Sequence, residues 1–370
     1  MASMGHLVFA WSLLVCGSLA SLLSVNSSSR MFLANSWRDS YWIANVPVNN
    51  LISTSEVSST TPTWSNFSLF PDRNASSIHV IIATDVDAET ETLYTMARYF
   101  NGAVSIFKAS YNGNVQAEVI KVDADPRYGS VKVASVGGAK KIYYVTGGLN
   151  ELGSPVPVTI KRADLDGSNV EVIFQSNATM LCRPVYSRLE CPDYDSIDQL
   201  AVDERMGYIY FNVRGGSLHR MPITPRSNET AATRTDIEML ARNGNVMRDV
   251  KFSNGILYWL EDPEVGDYIS RDQIWKWSPT YDGRPWNATL RANMSLLGEV
   301  RQPYIQAGRR GQWQPAAPAM LYLATDPAHN EIWGVGRSGG AYKVSMDGGN
   351  MTKVALAFPA NRTIVDAVIA

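Results

Sequence analysis

Histidine and cysteine are scarce in this chain, with four and three among 370 residues, and charge of either sign is in short supply at 18%. Lys plus Arg (33) nearly balance Asp plus Glu (35), and no basic cluster occurs. That excludes the electrostatic footprint of a nucleic-acid-binding protein. Past the N-terminal segment, no apolar run approaches the ~18 residues of a membrane span. After that segment only His79, His219 and His329 remain, at spacings that define no zinc site. His219 lies in an alternating arm and reads as a packed or exposed strand residue. No G-x-S-x-G elbow and no H-E-x-x-H occurs. The glycine-rich Gly334–Gly340 (GVGRSGG) lies between two strands, without a helix start to receive a phosphate, and reads as a tight reversal.

What is present is an ordinary globular composition, 45% hydrophobic, with a marked beginning. Residues 1–20 read as an export signal, apolar from Leu7 to Val15 and closed by Ser18-Leu19-Ala20. An uncleaved anchor is the alternative, since the apolar stretch reaches Val25. Cleavage after Ala20 removes Cys16 and leaves Cys182 and Cys191, an even pair that closes a short disulfide loop in an oxidising compartment. Two reduced thiols in a cytosolic protein are the other reading. Sequons N-x-S/T occur at Asn26, Asn66, Asn74, Asn177, Asn228, Asn287, Asn293, Asn350 and Asn361. That density points to a eukaryotic secretory route, and so to an extracellular protein; a monomer is expected.

The remaining 21–370 carries a repeat. Asn112-Gly113, Asp166-Gly167, Asp282-Gly283 and Asp347-Gly348 each close an alternating arm, at intervals that fit a period near 58 with one turn missing. LHRMPITPRSN supplies the missing arm, and YWIANVPVNN an earlier one. Ahead of these arms lie short aromatic runs: Leu93–Thr95, Ile142–Tyr144, Ile209–Phe211, Leu257–Trp259 and Ile332–Gly334. Each unit reads strand, turn, aromatic strand, connection, alternating strand, turn, final strand. The expected fold is all-β, a six-bladed β-propeller of four-stranded antiparallel blades. Its closing blade is expected from about 32–57 and 363–370, pairing N- and C-terminal strands so that no radial edge is left open.

RADLDGSN followed by VEVI, after the aromatic IYY strand, resembles the YWTD repeat of the low-density-lipoprotein receptor class B family, and ILYWLED is similar to that family's aromatic strand. The resemblance implies an extracellular six-bladed module that binds protein ligands. The Tyr and Trp of the second strands are expected to fill the space between blades with their polar tips at an edge.

Two functional readings follow. In the first, a protein or glycan docks, without catalysis, on the face carrying the long connections Gly147–Pro157, Ser176–Ser196, Leu260–Arg271 and Asn293–Met320. Candidate contacts are Glu261, Asp262, Asp267, Tyr268, Tyr304, Arg309, Arg310 and Trp313, aromatics among charges of both signs. Pairing of those charges with one another is the competing account. In the second, Asp198, Asp249 and Asp366 begin innermost strands and converge on the axis, where they hold Ca²⁺. This is as in the similar gluconolactonase and strictosidine-synthase enzymes, and it implies a hydrolase or lactonase. The local alternative is that each aspartate caps backbone N–H groups or a neighbouring blade's loop.

Overall fold

Turn chemistry fixes where the strands end. Gly137-Gly138 and Asn254-Gly255 take positive φ at both positions (63° and 81°, 51° and 77°), the conformation of a two-residue hairpin turn. Longer reversals end on one left-handed residue, Glu91, Gly207 or Asn330. Each of these longer turns opens on an aspartate that accepts backbone N–H groups. Asp87 takes that of Glu89, Asp203 those of Arg205 and Met206, and Asp326 that of His329.

The computed structural model describes residues 29–37, 40–48, 65–68, 78–99, 101–111, 115–122, 129–149, 155–176, 183–185, 188–190, 197–213, 217–242, 246–262, 269–279, 294–307, 312–315, 320–336, 340–356 and 364–370. Strands β1 (Arg30–Trp37), β2 (Ser40–Pro47) and β3 (Ser65–Ser68) come first. Blade 1 is β4 (Ile78–Asp87), β5 (Thr92–Tyr99), β6 (Val104–Ser110) and β7 (Val115–Val122). Blade 2 is β8 (Val131–Val136), β9 (Ala139–Leu149), β10 (Pro155–Asp164) and β11 (Glu171–Gln175). A small hairpin of β12 (Arg183–Val185) and β13 (Arg188–Glu190) follows. Blade 3 is β14 (Ile197–Asp203), β15 (Tyr208–Val213), β16 (Ser217–Pro222) and β17 (Glu238–Arg242). Blade 4 is β18 (Val246–Ser253), β19 (Ile256–Asp262), β20 (Ile269–Trp277) and β21 (Ser295–Ala307), extended by β22 (Gln312–Pro315). Blade 5 is β23 (Met320–Asp326), β24 (Glu331–Gly336), β25 (Gly340–Ser345) and β26 (Thr352–Ala355), and β27 (Ile364–Ile369) ends the chain.

The architecture is an all-β propeller of four-stranded antiparallel blades, five of them built from strands consecutive in the chain. A further four-stranded sheet has the order β27-β1-β2-β3, with Phe32 opposite Val368 and Leu33 opposite Ala367. Its outermost strand, β3 at Ser65–Ser68, lies beyond the 32–57 segment expected to supply it. This terminal sheet packs Met31 and Leu33 against Trp333 and Val335 of blade 5. On its other side, Phe32 and Ala34 meet Ile81 and Leu93 of blade 1. Alternation along β1 thus feeds two cores with successive residues.

Aromatic second strands fill the spaces between blades as expected: Tyr94, Tyr144, Tyr210, Tyr258, Trp259 and Trp333 are all buried. Their polar tips do not all reach an edge. Tyr258 Oη and Trp333 Nε1 are buried without a hydrogen-bond partner, because a ring seated centrally between two sheets leaves its tip in the core. The Asp166-Gly167 turn also does more than reverse a hairpin. A Cβ on Gly167 would lie 1.7 Å from the Val119 carbonyl oxygen, so glycine is needed for blade 2 to approach blade 1.

Candidate functional site at the propeller axis

The innermost strands β4, β8, β14, β18, β23 and β27 each neighbour the next, and β27 neighbours β4. Together they line a cavity of about 850 Å³. Its deep end is charged, with Asp85, Lys132 and Lys251 each 8% exposed. Its walls are apolar at Val86, Val202, Phe252 and Val368, and its rim carries the exposed Glu204, Arg205 and Asn254. The rim residues belong to turns between first and second strands. In antiparallel blades those turns lie on the face opposite the second-to-third-strand connections.

Buried side chains at the inner ends of the blades join each sheet to the next. Asp85 Oδ2 accepts the Val133 N–H at 2.7 Å, linking blades 1 and 2. Ser130 Oγ accepts the Leu200 N–H at 3.1 Å and donates to Gln199 Oε1 at 3.3 Å, linking blades 2 and 3. Asn212 Nδ2 donates to the Met247 carbonyl at 3.1 Å, linking 3 and 4. Between blades 4 and 5, Asp249 Oδ2 accepts the Leu323 N–H at 2.7 Å and Asp272 Oδ2 that of Met320 at 2.9 Å. Ser29 Oγ, just before β1, donates to Asp326 Oδ1 of blade 5 at 3.1 Å. Asp366 Oδ2 of β27 accepts the Thr84 N–H of blade 1 at 2.7 Å. Each bond satisfies a backbone group, a carboxylate or, at Gln199, a side-chain amide that would be costly to bury alone.

The axial charges interact across the ring. Lys132 Nζ lies 3.3 Å from Asp85 Oδ1, and Lys251 Nζ 3.3 Å from Asp249 Oδ2. Burial acts to depress the Lys251 pKa, but Asp249, Asp366 and Asp85 together hold it above the ordinary lysine value, so the ammonium stays charged. Farther out, burial pushes the Asp272 carboxyl up to about 6, with Asp262 adding to the rise and the Met320 N–H and Arg248 opposing it.

The residues singled out in the sequence fall in different places. Asp249 and Asp366 do sit on innermost strands, 0% and 1% exposed, and each of their oxygens accepts a backbone N–H. This is the local capping alternative, extended across blade seams. Asp198 is half-buried on β14, and its neighbour Gln199 takes the seam position. Among the described residues, no three of His, Cys, Asp or Glu gather closely enough to hold a metal ion.

The residues of the expected contact set fall in different settings. Glu261 is not a loop residue: it lies in β19, 1% exposed, and accepts the Trp259 indole N–H at 2.7 Å. Asp262 ends the same strand and pairs with Arg248. The stretch Asn293–Met320 is largely strand, because β21 runs to Ala307 and pairs with β22, setting Gln306 opposite Trp313 and Tyr304 opposite Pro315. Asp267, Tyr268, Arg309 and Arg310 lie outside the described residues, as do Cys182, Cys191, the export segment and the sequons at Asn26, Asn74, Asn177, Asn287, Asn293 and Asn361. Asn66 is in β3, while Asn228 and Asn350 are exposed between third and fourth strands. His219 is a packed strand residue, 1% exposed, stacked on Phe211 and sharing a 2.9 Å hydrogen bond with Ser217 Oγ. Sequence reading missed Lys132 and Lys251. The available signal was Asp249-x-Lys251, since residues two apart on a strand share a face.

No protein-family profile matches the chain, and no curated protein matches its sequence. Among solved structures it is similar to a putative 6-phosphogluconolactonase from Bacteroides uniformis, with TM-score 0.51, 11% identity, and 92% of this chain and 99% of that one covered. A putative 6-phosphogluconolactonase from Bacteroides fragilis gives TM-score 0.45 at 10% identity, covering 94% and 99%. The β-propeller domain of Myceliophteria thermophila Cps50 (Swd1) gives 0.45 at 10%, covering 87% and 82%. At such identities the likeness concerns the fold alone.

Proposed function

We propose that the chain is a secreted, glycosylated six-bladed propeller, of which the terminal sheet is the closing blade, and that it binds a small oxygen-rich ligand in its axial cavity. One observation carries this reading: strands from all six large sheets converge on one cavity with a charged deep end, apolar walls and a polar rim. Roughly 300–1,000 Å³ with apolar walls and a few convergent polar groups is the usual form of a small-molecule site. The deep end sets the ligand chemistry. Lys132 offers N–H donors beside the Asp85 carboxylate, a pairing that suits hydroxyl and carbonyl oxygens. A sugar or sugar lactone has that chemistry, and the name of the Bacteroides uniformis propeller makes glucono-lactone a reasonable first probe.

Ser253, half-buried at the cavity wall, is the place to test it. In calorimetric titrations with glucose and glucono-lactone, the wild-type protein binds at least one, and Ser253→Trp abolishes that binding without lowering the melting temperature. Equal binding by both proteins would remove the cavity from consideration. Turnover of glucono-lactone by the wild type would extend the reading from binding to lactone hydrolysis.

A second reading keeps a protein or glycan partner on the opposite face. It is favoured by the extra strand β22, which makes blade 4 five-stranded. Capture on a glycan array that survives replacement of 308–319 by a short turn would count against it. The YWTD-like outer hairpin supports an extracellular setting for either reading.

A further inference from the structure

The charges that line the axial cavity balance. Among the described residues they are three acids, Asp85, Asp203 and Glu204, and three bases, Lys132, Arg205 and Lys251. Backbone groups hold the acids in place. Asp85 Oδ2 accepts the Val133 N–H at 2.7 Å, Asp203 Oδ1 those of Arg205 and Met206, and Glu204 Oε1 that of Ser135 at 2.8 Å. Each deep-lying ammonium is matched to a carboxylate. Lys132 Nζ lies 3.3 Å from Asp85 Oδ1, and Lys251 Nζ lies 3.3 Å from Asp249 Oδ2. Arg205 is exposed at the rim, where water solvates it.

A ligand group that reaches the deep end therefore meets an ammonium and a carboxylate side by side. A hydroxyl can accept from Lys132 and donate to Asp85, whereas a phosphate or ionised carboxylate can only accept. Asp85 cannot swing aside without giving up the Val133 N–H, so an anion drawn to Lys132 also faces a fixed negative charge. It would have shed its water along apolar walls that return nothing for the loss. Those walls are firm, since the Phe252 ring stacks on the buried Tyr210 at 5.5 Å and 7° between planes. We propose that the Lys132–Asp85 pair is a charge filter that admits a hydroxyl and excludes an anionic group. The ligands of the cavity are then uncharged sugars and lactones, and not sugar phosphates or sugar acids that present their charged end. This rests on the axial-cavity reading and narrows its ligand class.

Asp85→Asn tests it. The amide oxygen can still accept the Val133 N–H, while Lys132 loses its opposing charge. By calorimetry the wild-type protein is expected to bind glucose or glucono-lactone and not inorganic phosphate, and phosphate is expected not to displace the sugar. Asp85→Asn is expected to bind the sugar about 10-fold more weakly or worse, and to gain binding of inorganic phosphate. Lys132→Met should lose the sugar as well but gain no phosphate, which separates the filter from a general loosening of the cavity. Phosphate binding by the wild type, or undiminished sugar binding by Asp85→Asn, would overturn the proposal. Should Asp85→Asn fail to fold, by its melting curve, the wild-type competition between sugar and phosphate decides alone. If no sugar binds the wild type, the sugar reading falls, and the filter then stands or falls on whether Asp85→Asn gains phosphate.

Discussion

The outer hairpin of blade 2 and the propeller axis both carry pairs of opposite charges, and distance alone ranks them wrongly. On the hairpin, Lys141 Nζ is 2.6 Å from Asp164 and Arg162 Nη2 2.7 Å from Glu171. At the axis, Lys132–Asp85 and Lys251–Asp249 are both 3.3 Å apart. The closer pairs are the partly solvated ones, with the Glu171 side chain 52% exposed, while the Asp249 side chain is 0% exposed. Water already stabilises the outer charges, so joining them gains little. At the axis the Lys251 and Asp249 side chains are only 9% and 0% exposed, so losing a partner leaves a buried charge uncompensated. Short contacts on this protein's surface therefore say little about its stability, and the looser ones at its centre hold the ring.

The contrast can be broken most forcefully at Asp249. Asp249→Ala strips the Lys251 ammonium of its nearest carboxylate and orphans the Leu323 N–H, and is expected to cost about 3–5 kcal/mol in denaturant unfolding. A loss no larger than that of a surface variant would mean that the axis is not what holds the ring. Asp366→Asn sharpens the point, since an amide can accept one N–H but not both from Thr84 and Ala367. It is expected to cost about 1–3 kcal/mol on the same measurement.

Asp272 extends the comparison to pH. Its folded pKa of about 6 lies above the ordinary value, so the folded state holds this proton more tightly than the unfolded state. Stability is highest while the carboxyl is protonated and declines as pH rises from about 4 to 6, by up to about 2–3 kcal/mol. Asp272→Asn is expected to lose that component, so its melting temperature relative to wild type should climb across the same interval. Parallel curves for the two proteins would remove Asp272 as the source. The smallest effect belongs to the outer hairpin, where Glu171→Gln should change stability by about 0–0.5 kcal/mol. A loss comparable to that of Asp366→Asn would erase the distinction between rim and axis.

Most of the blade plan could be read in advance because it is written locally. Asp166-Gly167 and Asn254-Gly255 are hairpin turns wherever alternating arms flank them. RADLDGSN followed by VEVI folds as the end of β10, the Asp166-Gly167 turn and the start of β11. The misses are long-range. The strand β21 was hidden in Asn293–Met320 because edge strands carry little hydrophobic pattern, and the pairing with β22 that stabilises it is a tertiary event. Glu261 looked like a loop acid because nothing in ILYWLED reports that the Trp259 indole turns back to hold it.

Strand order within blades, turn positions and the repeat near 58 residues follow from residue types a few positions apart, since backbone sterics and alternation act at that range. The axis does not follow from them. Asp85, Lys132, Lys251 and Asp366 are spread across most of the chain; the repeat places Asp366 near the axis, but nothing in their own strands marks Asp85, Lys132 or Lys251 as charges that share it. Only when four sheets turn their innermost strands to one centre do these charges lose their water together and acquire a shared role, because desolvation and pairing depend on neighbours in space and not in sequence.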